Sequence, residues 1–335
     1  MKVLIISQTE VARLLPMGEC IEAMAQALEA TARGDVLLPL RQVVLLPGDV
    51  GAIGSMPAYS RPLGAIGVKV ITVFPGNRGT EFDSHQGAVL LFEAGHGRLN
   101  AIADASEVTA IRTAAVSGVA TRLLARDDAC DLAILGAGVQ ARTHLEAMLQ
   151  VREIRSVRVW SPTPEHVRAF AERESRRHDV TIEPAGSAHG AVEGAHIICT
   201  TTSSRGPILE GEWVAPGAHI NAVGASLKTA RELDTAAVKQ ARLFVDRRES
   251  ALNEAGEFLI AKAEGALGDE HILGELGDLL LGRLVGREAL DDITLFKSLG
   301  LAVEDLAAVQ HLYDRAVSQG EGTWVELGGG RHDAE

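Results

Sequence analysis

Asp131-Leu-Ala-Ile-Leu-Gly-Ala-Gly-Val-Gln-Ala-Arg-Thr-His-Leu-Glu-Ala-Met-Leu-Gln150 changes period in the middle. Leu132–Leu135 is a short, unbroken apolar run, as expected of a strand buried on both faces. From Val139 the apolar residues fall at helical spacing (Val139, Leu145, Met148, Leu149). Between them stands Gly136-x-Gly138-x-x-Ala141. In a strand–turn–helix context, this pattern is a dinucleotide-binding turn. The first glycine makes the tight turn, the second lets backbone approach a pyrophosphate, and the small third residue lets helix and strand pack closely. The helix start offers unpaired N–H groups and a positive dipole end to the phosphates. Gly136, Gly138, Val139, Gln140 and Ala141 are therefore candidate cofactor residues.

Downstream the alternation continues. Val157–Trp160, Val180–Glu183, Ile197–Thr200, His219–Val223 and Leu243–Val245 read as strands, and Pro164–Arg176 as a helix. This predicts a doubly wound parallel sheet with its ligand at the carboxyl ends of the strands. Helices are also expected over Glu270–Val285 and Val303–Gln319. Upstream, helices over Thr9–Leu15 and Met17–Arg33 precede short β-rich runs at Leu40–Leu46, Ala52–Pro57, Ala65–Val73, Gly87–Glu93 and Leu99–Ala105. These runs are broken by glycine-rich turns, the mark of a mostly antiparallel meander. An alanine-rich helix, Val108–Leu124, leads into the dinucleotide strand. The fold class is α/β, with an α+β domain over residues 1–117, to which 302–335 return, and a nucleotide domain over 118–301.

The chain has 335 residues, enough for two domains, and a formal net charge of −13. That charge argues against nucleic acid or an anionic membrane as partner. The segment Met1-Lys-Val-Leu-Ile-Ile-Ser lacks a signal-peptide core, and no 18-residue apolar run occurs, so a cytoplasmic location is expected. Cys20, Cys130 and Cys199 have no metal-ligand spacing and read as reduced core thiols. His85, His144 and His219 have none either, so no metal is expected.

Three cations stand in apolar surroundings: Arg41 in Leu-Pro-Leu-Arg-Gln-Val-Val, Lys69 in Gly67-Val-Lys-Val-Ile, and Arg112 in Thr109-Ala-Ile-Arg-Thr-Ala-Ala. Burying an unpaired ammonium is costly, so Lys69 needs a partner or a cavity. Three such residues in separate elements of an acidic protein suggest a site for a small carboxylate. The hydroxyls of Thr200 and Thr201, at a strand's carboxyl end, read as pocket lining. After the second nucleotide strand, Trp160-Ser161-Pro-Thr163 lacks the acid that would hold a ribose 2′-hydroxyl. Ser161 and Thr163 suit a 2′-phosphate, which favours NADP over NAD.

Arg41, Gly67-Val-Lys69, Phe74-Pro-Gly-Asn77, Thr109-x-x-Arg112-Thr-Ala-Ala, Gly136–Ala141, Asn221-Ala-Val-Gly224, Arg231-Glu-Leu-Asp234 and Ile293–Asp305, in this order, resemble the ornithine cyclodeaminase/mu-crystallin family along nearly the whole chain. The resemblance implies a homodimer joined through the N-terminal strands and a Rossmann domain in each subunit. It also implies a carboxylate of an amino or imino acid held by Arg41, Lys69 and Arg112. Thr113, Val223 and the Lys297-Ser298 loop are implied to approach the cofactor. Two departures bear on the reaction. Cyclodeaminases of the family carry an acid just after Val-Gly-Gly, where this chain has Ser226 in Val223-Gly-Ala-Ser. They also carry a Glu shortly before the Met-Pro pair, where Gly54-Ser55 precede Met56-Pro57. A serine hydroxyl is a poor proton carrier near neutral pH. The expectation is an NAD(P)H-dependent, ketimine reductase-like member that reduces a 2-imino acid, for instance Δ1-pyrroline-2-carboxylate to L-proline. Lys69 and Ser226 are its candidate catalytic side chains. The alternatives are an ornithine cyclodeaminase, an alanine-dehydrogenase-type enzyme and a non-catalytic, mu-crystallin-like binding protein.

Overall fold

A computed structural model describes residues 2–77 and 79–329; the far end of the glycine-rich tail lies outside the described residues. The chain divides into two compact units, Met1–Arg112 with Leu301–Glu335, and Thr113–Gly300.

The first unit holds strands β1 (Lys2–Ile6), β2 (Val36–Leu37), β3 (Gln42–Leu45), β4 (Ala52–Ser60), β5 (Ala65–Val73), β6 (His85–Glu93) and β7 (Leu99–Asp104), with helices α1 (Gln8–Leu14) and α2 (Met17–Ala32). The border between the units falls inside α3 (Ala105–Leu124). In the second unit the strands are β8 (Asp131–Leu135), β9 (Ser156–Trp160), β10 (Ile182–Pro184), β11 (Ile197–Thr200), β12 (His219–Ala222), β13 (Arg242–Val245), β14 (Ile272–Glu275) and β15 (Thr294–Lys297). Its helices are α4 (Val139–Val151), α5 (Pro164–His178), α6 (Ala188–Val192), α7 (Thr235–Gln240), α8 (Arg248–Glu254), α9 (Gly256–Ala263) and α10 (Leu276–Leu280). Helix α11 (Ala302–Gln319) and strand β16 (Thr323–Glu326) complete the first unit.

In the first unit the strand order is β16-β1-β7-β6-β5-β4-β2, with β3 also on β4. All pairs are antiparallel except β1 with β7. β5 is the spine, paired over its whole length with β4 and with β6. Its burial alternates, with Ala65, Gly67 and Lys69 on the buried face. Helix α11 packs on that face and against α2, which buries Cys20, Ile21, Met24 and Leu28 at helical spacing. Close approach needs Gly67, because a Cβ there would lie 2.9 Å from the Cβ of Leu306.

In the second unit the order is β10-β9-β8-β11-β12-β15-β13-β14, parallel throughout. β8 and β11, apolar but for Asp131 and Thr200 at their ends, lie inside the sheet and are almost completely buried, as a sheet covered on both faces requires. The expected helix over Glu270–Val285 is not there. That stretch forms a 3-10 turn, the edge strand β14 and the short α10. Its apolar residues do recur every three to four positions. Gly274, Gly277 and Gly282 weaken a helix, and the open backbone edge of β13 is satisfied by pairing with Ile272–Glu275.

We expect Gly67→Ala to destabilise the protein by about 1–3 kcal/mol, because the added methyl meets a helix Cβ that cannot swing away. Gly54→Ala on β4, whose new methyl would find its nearest atoms at 3.7 Å, serves as the neutral control. Urea denaturation of the two variants reads the difference.

Candidate functional site

The buried face of β5 decides the chemistry of the first unit. Lys69, 3% exposed, points into the sheet–helix interface, where its Nζ donates to Asp305 Oδ1 at 3.0 Å and forms an ion pair with Oδ2 at 2.8 Å. Asp305 sits in the first turn of α11 with Glu304, where the helix dipole favours carboxylates. From α3, Arg112 donates through Nε to Asp305 Oδ1 at 2.9 Å and through Nη1 to Glu304 Oε2 at 2.6 Å. Two cations and two acids thus form one buried, formally neutral cluster. Burial drives the Lys69 ammonium down; Asp305 pulls it back and Arg112 opposes, leaving its pKa lowered to about 8. Burial would raise the Asp305 carboxyl, but Arg112 and Lys69 together hold it below the usual range.

Arg41 differs from the expectation. It lies just outside β3 and is half-exposed, near enough to Lys69 to oppose its charge. The clamp inferred from sequence is therefore two buried cations, each already tied to an acid, plus one accessible cation. The acids that orient them, Glu304 and Asp305, were not singled out for any role. Their signal was a pair of adjacent acids in the first turn of an amphipathic helix.

In the second unit the turn after β8 has the features a dinucleotide needs. Gly136 stands at φ +129°, and a Cβ there would meet the Thr201 Oγ1 at 2.5 Å; its N–H donates to the Trp160 carbonyl (2.7 Å). Gly138 is the exposed N-cap of α4, and a Cβ there would meet nothing within 4 Å. Backbone can be approached closely at Gly138, and the first N–H groups of α4 have no partner within the helix. Val139 is exposed, Gln140 half-buried and Ala141 fully buried. These residues fit a pyrophosphate. At the end of β9, Ser161 Oγ and the Thr163 backbone N–H are 3.3 Å apart, within a tight turn that N-caps α5.

Other expected cofactor residues occupy different environments. Thr113 is buried on α3, and Val223 is buried just after β12. Thr201 donates to the Leu135 carbonyl at 3.1 Å. Thr200 is fully buried and its hydroxyl is committed to Glu232 at 2.8 Å. Lys297 is buried too. Its ammonium donates to the carbonyls of Ala225 (2.6 Å) and Ala222 (3.2 Å) and pairs with Glu257 (3.3 Å). Lys297 therefore braces the loop after β12, which ends in the exposed Ser226. Glu232, in the Arg231-Glu-Leu-Asp234 stretch, has a role that its sequence context does not disclose. Its Oε1 accepts from the Thr202 N–H (2.6 Å) and hydroxyl (2.7 Å); its Oε2 accepts from Thr200 Oγ1 and the Gly224 N–H (2.7 Å). One carboxylate thus ties together the loops that follow β11 and β12. Cys20 and Cys199 are buried thiols as expected, but Cys130 is partly exposed.

A doubly wound sheet with this turn, carried by a chain whose other unit buries a Lys–Arg–Asp–Glu cluster, defines an α/β protein of the dinucleotide-binding type. Residues 1–320 match the ornithine cyclodeaminase/mu-crystallin family, and the chain belongs to it. It is 44% identical over 281 residues to the ketimine reductase mu-crystallin of Mus musculus, covering 84% of this chain and 86% of that one. Among solved structures it resembles the Δ1-pyrroline-2-carboxylate reductase of Thermococcus litoralis in complex with NADH and L-proline (37% identity, TM-score 0.94, 96% of this chain and 99% of that one). It also resembles an archaeal alanine dehydrogenase dimer with bound NAD (31% identity, TM-score 0.92, 98% and 100%).

The Glu232 junction is testable by itself. Glu232→Gln puts an amide NH₂ against the Thr202 or Gly224 N–H, leaving a buried donor unmatched at a cost of about 1–3 kcal/mol. We expect a lower melting temperature together with weakened dinucleotide binding in a fluorescence titration. Unchanged dinucleotide affinity would restrict Glu232 to folding.

Proposed function

We propose that the chain is a nicotinamide-dependent reductase of 2-imino acids, with Δ1-pyrroline-2-carboxylate reduced to L-proline as the leading reaction. The observation that carries this reading is the buried Lys69–Arg112 pair held by Asp305 and Glu304, in a chain that also bears the Gly136–Ala141 turn. The named relatives, a ketimine reductase and a pyrroline-2-carboxylate reductase, support it. Gly136, Gly138, Val139, Gln140 and Ala141 hold the pyrophosphate, and Thr113, Thr201 and Val223 approach the nicotinamide. When bound in reduced form, the nicotinamide supplies a hydride to the C=N carbon.

The chain's own residues do the rest. Arg41, Lys69 and Arg112 grip the substrate carboxylate, and holding the imine carbon in one orientation is a large part of the catalysis. The acids keep the two buried cations aimed and prevent them from repelling each other. Lys69, with its pKa near 8, is mostly protonated at neutral pH and can exchange a proton. Ser226 holds a water or the imine nitrogen. Ser161 and Thr163 favour the 2′-phosphate of NADP, since no acid stands at the end of β9 to repel it. The chain works as a homodimer. Leu37, Val43, Val44, Leu45 and Val50 are all more than half exposed on or beside β2 and β3, an apolar edge that needs a cover.

Incubation with Δ1-pyrroline-2-carboxylate and NADPH, then NADH, should consume reduced cofactor, with the lower KM for NADPH. Release of ammonia and proline from ornithine without net cofactor consumption would overturn the reading in favour of a cyclodeaminase. Arg112→Ala is a poor probe, because it strips a buried cation from two acids. Arg41→Ala removes an accessible one, and should raise KM for the imino acid at least tenfold while the melting temperature stays within a degree or two.

The pH dependence has a definite sign. Below about pH 8 the Lys69 ammonium is present; above it, the charged fraction falls about tenfold per unit. Inhibition by cyclopentanecarboxylate, which stays anionic throughout, should weaken as pH rises past 8. Constant inhibition to pH 10 would remove Lys69 from the carboxylate site.

The dimer has its own test. Val44→Lys with Leu45→Lys should yield a monomer in sedimentation velocity where the parent chain sediments as a dimer.

A further inference from the structure

At the amino ends of the parallel strands in the second unit, three metal-ligand side chains meet that sequence spacing keeps apart. Cys130 precedes β8, Asp131 is its first residue, and His196 immediately precedes the neighbouring β11. The sheet fixes their backbones: the His196 N–H donates to the Asp131 carbonyl at 2.9 Å, and the Arg155 N–H to the Cys130 carbonyl at 2.8 Å. Cys130 Sγ lies 3.8 Å from Asp131 Oδ2 and 3.8 Å from His196 Nδ1, and the latter two atoms are 3.4 Å apart. These are the only three-residue His/Cys/Asp/Glu group among the described residues whose ligand atoms all lie within 4.8 Å of one another.

The triangle has the size of one face of a metal tetrahedron. Zinc bonds of about 2.3 Å to sulfur and about 2.0–2.1 Å to nitrogen and oxygen, at tetrahedral angles, give edges of about 3.3–3.6 Å. The Asp131–His196 edge of 3.4 Å falls in this range and the two sulfur edges of 3.8 Å exceed it by a few tenths of an ångström, within what side-chain rotation can close. The His196 side chain is 28% exposed and that of Asp131 33%, and Cys130 is partly exposed. An ion can enter and keep water as its fourth ligand. Thiolate with imidazole selects a borderline-soft ion such as Zn²⁺ over Mg²⁺ or Ca²⁺, which take oxygen ligands.

We propose that Cys130, Asp131 and His196 form a binding site for one Zn²⁺-class transition-metal ion, tying the start of β8 to the start of β11. On binding, the Cys130 thiol releases its proton to solvent and the sulfur takes the metal. The His196 Nδ1 lone pair, which accepts from the Cys130 N–H at 3.2 Å, turns to the ion, and that N–H is left to water. Asp128 and Arg155 are the other charged groups that act on the thiol. The dinucleotide turn is at the far end of β8, about 17 Å away at ~3.3 Å per residue. The ion therefore acts on the stability of the sheet and not on the reacting atoms.

Co²⁺ titration of the full chain tests this, since thiolate ligation gives a near-ultraviolet charge-transfer band and tetrahedral geometry gives strong visible bands. We expect saturation at one equivalent, displacement by Zn²⁺, loss of the charge-transfer band in Cys130→Ser, and at least tenfold weaker binding in His196→Gln. A chain without the band, or a Cys130→Ser variant that keeps it, overturns the proposal. A melting-temperature comparison is independent of the spectra: Zn²⁺ should raise it for the parent chain and not for His196→Gln, and an equal rise in both would also overturn it.

Discussion

The carboxylate of Asp305 is the constraint on which the first unit depends. A lysine and an arginine facing each other in a packed interior would be untenable alone, since desolvation costs several kcal/mol per ion and their charges repel. Asp305 accepts from both, and Glu304 takes a second donor of Arg112. The acids belong to the first turn of α11, which follows the whole second unit in sequence. The last long helix of the chain is thus bound to β5 and α3 by charge as well as by the close fit over Gly67. A hydrophobic replacement of such a cluster would in general be as stable or more so. Stability therefore gives no reason for these four groups, and the proposed carboxylate site would give one.

In the second unit a comparable role falls to Glu232 and Lys297. Parallel strands end in loops with unpaired backbone, and the ligand of such folds is read by those loops. Here two buried charges hold them. Glu232 collects two hydroxyls and two backbone N–H groups; Lys297 collects two carbonyls. The Gly224 N–H goes to Glu232 while the Ala222 and Ala225 carbonyls go to Lys297, so donors and acceptors of one loop are fixed from opposite signs of charge.

Which parts were legible in the sequence follows from the range of each interaction. The turn at Gly136 is local, written in φ, space and helix start within six residues, and was readable. So were the strands of β5, β8 and β11 and the amphipathic α2, because periodicity records a buried face. The region 270–285 was misread because its apolar spacing suits a helix while its fate was set by a strand edge about 30 residues earlier. The charge that makes Lys69 tolerable comes from 236 residues away, and no pattern around Lys69 announces it. The same reason hid Cys130 with His196: neighbours in a parallel sheet are separated by a crossover, so a ligand set across two strands has no motif spacing.

The arrangement of protons, finally, favours reduction over deamination. Ring closure with loss of ammonia requires a group that alternately gives and takes a proton at the amine. At the position that the resemblance to cyclodeaminases implies for it, this chain carries Ser226, exposed and without an acid's range. Asp305 and Glu304 cannot substitute, because their charge is spent on Lys69 and Arg112 and the cations hold Asp305 ionised. Hydride transfer to an imine makes a smaller demand. An iminium already carries its proton, so the step needs orientation and a fixed countercharge more than a shuttle. In the proposed site, the neutral cluster of Lys69, Arg112, Asp305 and Glu304 with Arg41 near it would supply that combination.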